Sequence, residues 1–262
     1  MSLSLRKMAR LSVLGVVAVA AVAMLAPAAQ ATTPNPGYSQ FAGCPDPATE
    51  NATVVNCMRN TVKSGNFKMG NKNVPIEKPI VLTGGVNTEG EGFVFNSKGG
   101  MLPAKQKVPG GVIGLTGLTW LLEFFGSEAL TLYANTELAG QPKVGNPELV
   151  QLPVKVHLEH SVLGSKCYVG SNSNPIQLKL NFTGAEGFEF DEALEILRIK
   201  GIVFVDKTFS APGANGCTLT LFGFIPISIN GLVNTQSGLP AATGNETTQI
   251  TDIETATAEK VY

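Results

Sequence analysis

The sequence predicts an all-β protein, an antiparallel β-sandwich or barrel-like fold with at most one or two short helices. Three observations predict it. Apolar and polar residues alternate with period two over several stretches, Gly and Pro punctuate those stretches, and no long helical periodicity intervenes between them. The 262 residues are 44% hydrophobic, enough for a sizeable core and too apolar for global disorder. A net charge of −1 excludes a nucleic-acid-tracking surface, which needs a strong basic excess.

The chain opens with a basic stretch holding Arg6, Lys7 and Arg10, followed by the apolar run Leu11–Leu25 and then Ala29-Gln30-Ala31. Basic start, short apolar middle and small-residue exit read as a secretory signal peptide over residues 1–31, cleaved near Ala31. The run is shorter than the roughly 20 apolar residues a spanning helix needs. Export places the mature chain outside the cell or in the cell envelope. Removing these 31 residues, three of them basic and none acidic, leaves 231 residues with a net charge of −4. Residues 32–42, rich in Pro, Gly, Thr and Asn, are expected to form a flexible lead-in. Residues 43–262 then make a single β-rich domain. A division into two lobes near residues 140–148, where Gly and Pro cluster, is the alternative.

Four cysteines, Cys44, Cys57, Cys167 and Cys217, in an exported chain imply two disulfides. The favoured pairs are Cys44 with Cys57, which flank the turn Pro45-Asp46-Pro47, and Cys167 with Cys217, which join two strand-like segments. The CxxC spacing of a zinc or redox site does not occur, so no metal is expected at the cysteines.

The clearest strand is Val150–Leu158, where Val150, Leu152, Val154, Val156 and Leu158 alternate with polar residues and with Pro153, a residue suited to an edge or a bulge. Ile176, Leu178, Leu180 and Phe182 repeat the pattern. So do Phe188 and Phe190 against Glu189 and Asp191, which predicts one face on a core. Further strands are expected over residues 76–82, 92–95, 129–137, 196–205 and 217–222. The stretch Leu118–Phe125 could form two helical turns.

Catalytic and cofactor motifs are mostly missing. GxSxG and HExxH do not occur, and residues 65–72 miss a phosphate-binding loop because no Lys follows the second Gly directly. No cofactor is expected. One polar cluster stands out, His157-Leu158-Glu159-His160-Ser161, which contains both histidines of the chain. On a strand His157 and Glu159 share a face, so Glu159 could orient His157 as a general base. Glu189 and Asp191 also share a face and could act as a carboxylate pair. The apolar stretch Val112–Phe125 could be core, line a pocket or meet lipid. The function expected from this balance is that of a secreted or envelope non-catalytic β protein binding an unidentified ligand or partner. A hydrolase using His157 and Glu159, or Glu189 and Asp191, is the first alternative. A lipid-interacting or pore-forming envelope protein is the second.

Several segments carry a resemblance: Lys166–Ile176 (KCYVGSNSNPI), Ala211–Cys217 (APGANGC), Gly231–Asn234 (GLVN) and Gly238–Pro240 (GLP). Over the C-terminal hundred residues the chain resembles a group of secreted actinobacterial proteins of unknown function. The resemblance implies export, disulfide bonding and an actinobacterial source. It carries no catalytic residue set.

Overall fold

The computed structural model describes residues 32–87, 92–126, 128–144, 149–221 and 225–262. The expected signal peptide lies outside the described residues, as do residues 145–148 of the suggested lobe boundary. In chain order the strands are β1 (Val54–Met69), β2 (Lys72–Ile76), β3 (Ile80–Asn87), β4 (Phe93–Val94), β5 (Gly100–Met101), β6 (Lys105–Lys107), β7 (Tyr133–Leu138), β8 (Lys143–Val144) and β9 (Leu149–Glu159). They continue with β10 (Tyr168–Val169), β11 (Ile176–Gly184), β12 (Gly187–Asp191), β13 (Ile196–Asp206), β14 (Ala214–Asn215), β15 (Thr218–Leu221), β16 (Ile225–Ser228) and β17 (Glu246–Thr257).

The described residues also hold four short α-helices rather than one or two: α1 (Gly111–Thr116), α2 (Leu121–Phe125), α3 (Asn230–Ser237) and α4 (Ala258–Val261). Segments of four to eight residues are too short to display a 3.6-residue repeat, so α3 and α4 left no signature in the pattern.

All strands except β15 and β16 join one antiparallel sheet, curled into a half-barrel. Its spine runs β9–β11–β13–β17–β1–β3. β1 and β17 pair along nearly their whole length, from Asn56↔Thr257 to Lys68↔Glu246. The other edge of β1 is shared by β3 and then β2. β9 carries β7 and β8 on the edge away from β11. Curvature enters at register shifts, between Val62 and Ser64 on β1 and between Ile199 and Ile202 on β13. Next to the first shift sits Gly65, with φ +139°, whose missing Cβ would fall 1.9 Å from the Thr248 carbonyl oxygen. Only glycine allows β1 and β17 to approach this closely.

Pro153 occupies a position its chemistry permits. Its carbonyl accepts the Ala139 N–H at 3.0 Å, so its missing N–H points to the same side, where the partner strand is interrupted between β7 and β8. The two ends of the curl are stitched by Gln106 on β6. Its Oε1 accepts the N–H groups of Glu77 and Lys78 at 2.9 and 3.0 Å, and its Nε2 donates to the Lys78 carbonyl at 2.7 Å.

Two cores lie on opposite faces of the sheet. The larger fills the inside of the curl with Leu152, Val154, Val156 and Leu158 of β9, Ile176, Leu178 and Leu180 of β11, and Ile202 and Phe204 of β13. Val112, Leu115, Leu121 and Val233 of α1, α2 and α3 belong to it too. The smaller core sits on the outer face and contains Tyr38, Phe41, Val54, Ile196, Ala256 and Val261 around Cys44 and Cys57. Residues 32–42 are therefore not a flexible lead-in. Phe41 is fully buried, Tyr38 donates its hydroxyl to the Leu194 carbonyl, and the Asn35 N–H donates to Val261. Two aromatic side chains amid Pro, Gly and Asn are enough to pin the segment.

Both disulfides form, Cys44–Cys57 and Cys167–Cys217. Near the first, the buried Asp46 is held in its ionised form. Burial pushes its carboxyl up, but the Ala48 N–H and the hydroxyls of Thr32 and Thr49 outweigh this and hold the pKa below its usual value.

The C-terminal Tyr262 closes the same region by donating its hydroxyl to the Cys44 carbonyl at 2.6 Å. Burial, then the charges of Glu50 and Asp46, push its pKa from 10.0 up to about 12. Below pH 10.0 the phenol is protonated both folded and unfolded, so its contribution to stability is fully present. As pH rises from there to about 12 the unfolded chain ionises first and the contribution is lost. Denaturant titrations of the wild type and Tyr262→Phe across this window should show a steeper alkaline loss in the wild type. Parallel curves would contradict the assignment.

Candidate ligand cavity

The inner face of the curl does not pack shut. Cross-strand pairs fix which residues point inward: Asn60 and Val62 of β1 stand opposite Leu82 and Ile80 of β3, and Leu152 and Val150 of β9 stand opposite Leu178 and Leu180 of β11. With Phe67, Val74, Ala134, Val156 and Gln249 they surround a cavity of about 60 Å³. That is room for about four waters, yet the wall is too apolar to hold them well. At about 24 cal/mol per Å³, leaving it empty costs on the order of 1.4 kcal/mol relative to a filled core.

Among the described residues no charged side chain lines this cavity. Its polar wall groups include the amides of Asn60, Gln106 and Gln249 and the hydroxyl of Thr136. Gln106 is committed to the backbone contacts described above, and Gln249 Nε2 donates weakly to Thr247 Oγ1 at 3.4 Å. Asn60 Oδ1 is different: it is shut off from solvent and has no hydrogen-bond partner. A buried unpaired amide oxygen costs roughly 1–3 kcal/mol. Five other buried side-chain polar atoms among the described residues share this state, but Asn60 Oδ1 is the one on the cavity wall.

From Asn60 an apolar strip leads outward over the same face. The register places Ile253, Ile199 and Phe188 beside one another on successive strands, with Leu197 and Phe190 in the next row. Phe188 is 71% exposed and Phe190 60%. The expectation that both phenylalanines rest on a core is therefore corrected. The alternation is present, but β12 lies at the margin of the half-barrel and nothing among the described residues covers its apolar face. Phe182 of β11, on the same face, is 41% exposed.

The polar cluster singled out in the sequence lies on the opposite face of the sheet. His157 Nδ1 sits between Glu137 Oε1 at 3.6 Å and Glu159 Oε1 at 3.7 Å. Its ring stacks on Tyr168 with centroids 4.4 Å apart. Lys155 and Lys105 pair with Glu137 and Glu159, respectively. The Tyr168 phenol is pushed up in pKa by burial, then by the charge of Glu137 and its hydrogen bond, and further by Glu159.

A general base must present a free nitrogen to its substrate. The free nitrogen of His157, Nε2, is instead sealed from solvent without a partner. A groove of about 390 Å³ adjoins the cluster, lined by His157, Glu159, His160, Ser161, Gly164 and Ser165. His160 is spent on structure there, with Nδ1 accepting the Val162 N–H at 3.1 Å and Nε2 lying 2.7 Å from the Ala129 carbonyl.

Glu189 and Asp191 are spent as well. Glu189 pairs with Lys200 at 2.6 Å. Asp191 accepts the N–H groups of Leu194 and Ala193 in the β12–β13 turn and pairs with Arg198 at 3.3 Å. The backbone hydrogen bond from Leu194, joined by the Arg198 contact and the Ala193 N–H, outweighs the opposing effect of burial and holds its carboxyl below the usual range, which opposes a proton-donor role.

The apolar stretch Val112–Phe125 buries Val112, Leu115 and Leu121 in the main core and leaves Trp120 and Leu122 at the surface. Among the described residues no group of three His, Cys, Asp or Glu is placed to hold a metal, and no helix is long and apolar enough to cross a membrane. No family model, no curated protein and no solved structure matches the chain.

The sequence reading missed Asn60 and Gln249, because β1 and β17 were not recognised as strands. The signal that could have found β17 is its content of β-branched residues: Thr247, Thr248, Ile250, Thr251, Ile253, Thr255 and Thr257.

Proposed function

We propose that the chain is an exported, non-catalytic β protein that binds a small apolar ligand inside its curled sheet. The observation that carries this reading is an apolar cavity with no charge among its described lining residues, beside an exposed apolar strip on the same face of the sheet. Sites for small molecules are concave and mostly apolar, with a few placed polar groups. A ligand longer than about three methylenes exceeds the cavity's volume of about 60 Å³ and runs on along the strip towards Ile253 and Ile199.

Export is supported by the two disulfides. The actinobacterial source rests on the resemblance of the C-terminal segments.

A cavity-filling substitution tests the ligand site. Ala134→Val adds two methyl carbons to the wall of the void, close to what its volume of about 60 Å³ takes, and should hold or raise the melting temperature by itself. Saturating the buffer with propane should raise the melting temperature of the wild type and leave that of Ala134→Val unchanged. No rise in the wild type, or an equal rise in both, would overturn the reading.

A further inference from the structure

We infer that the cavity selects an uncharged ligand bearing a hydroxyl group, which Asn60 holds at the boundary between cavity and strip. The inference deepens the proposed function and rests on the cavity being a ligand site. Three observations carry it. Among the described residues the lining holds no Lys, Arg, Asp or Glu, so a carboxylate or ammonium entering it would lose its hydration with no counter-charge to replace it. Asn60 Oδ1 is a buried acceptor with no partner, whereas the amide of Gln106 on the same wall is consumed by the backbone of Glu77 and Lys78.

The third observation is position. Asn60 stands between Leu82 on β3, which lines the cavity, and Ile253 on β17, which begins the strip. An apolar chain filling the cavity therefore brings its polar end to Asn60. A hydroxyl suits this place better than an N–H because it both donates and accepts, and so satisfies either end of an amide. Alcohols with a short aliphatic body are the class described.

Isomers isolate the hydroxyl. 1-Propanol and methoxyethane have the same atoms, and only the alcohol can donate a hydrogen bond. The ether is the less polar of the two, so transfer out of water alone favours it. Titrations followed by methyl NMR of the full mature chain, with propane and propanoate as the other arms, read the affinities. The expected result is that 1-propanol binds about tenfold more tightly than methoxyethane, and propanoate at pH 7.4 does not bind. In Asn60→Leu, and in Asn60→Ala as a second variant, the preference for the alcohol should vanish while propane still binds. Binding of propane with no preference for the alcohol, or with propanoate as tight as the alcohol, would overturn the inference and leave the cavity reading standing. Absence of binding by all four compounds would defeat the cavity reading itself, and the inference with it.

Discussion

Val156→Asp is expected to destabilise the protein by about 4 kcal/mol or more, enough to unfold much of it at room temperature. Val156 is 3% exposed and points into the curl beside the cavity, where no described side chain of opposite charge lines the wall. The new carboxylate must lose its water without a partner or take up a proton, and either outcome is costly. The neighbouring residue gives the contrast. His157 lies on the outer face, stacked on Tyr168, and its removal relieves an unpartnered Nε2 while losing the stack. His157→Ala should therefore cost only about 1 kcal/mol. Urea denaturation of the two variants checks the ordering. A tolerated Val156→Asp beside an unfolded His157→Ala would mean that the faces of β9 are reversed.

Replacing Cys167 and Cys217 together by Ala should cost about 4 kcal/mol, against about 3 kcal/mol for the Cys44 and Cys57 pair. The difference comes from the unfolded chain. The first bond closes a loop with a sequence separation of 50 and the second one of 13, so the first removes more loop entropy when the chain unfolds. All four cysteines are fully buried, and Ala fills their sites with little new strain. Chemical denaturation of the two double variants reads the order directly. A costlier loss at Cys44 and Cys57 would show that the outer core around Phe41 and Val261 depends on its bond for more than chain entropy.

The strands that could be read from the sequence are those whose inner face is apolar and outer face polar. β9 and β11 alternate cleanly because Leu152, Val154, Ile176 and Leu178 all reach the main core. The two longest strands escaped notice. On β17 the inward residues Thr247, Gln249 and Thr251 are buried yet polar, and on β1 Asn60 breaks the inward row, so neither face contrasts with the other. The outward positions add Lys63, Asp252 and Glu254, which remove any remaining alternation in hydropathy.

Phe188 and Phe190 mark a second limit. A period of two tells which residues share a face, but whether that face is covered depends on elements distant in the chain. The cavity was out of reach for the same reason. It arises from the combined volumes of side chains on β1, β2, β3, β9 and β11, and no local window contains that sum. Of the candidate residues, His157 and Glu159 do come together, but as part of an ion-pair cluster with Glu137, Lys105 and Lys155 on the outer face. Glu137 joined them only through the β7–β9 pairing.

Methyl NMR under xenon pressure tests the central claim most directly, because xenon enters apolar voids and reports each one through its neighbours. In protein labelled at Ile, Leu and Val methyl groups, the methyls of Val62, Leu82, Val150, Leu152 and Leu178 should shift progressively with pressure and saturate together. Those of Ile196 and Val261 in the outer core should stay in place. Uniform small shifts across both cores, or none at the residues lining the curl, would contradict a ligand cavity inside the sheet.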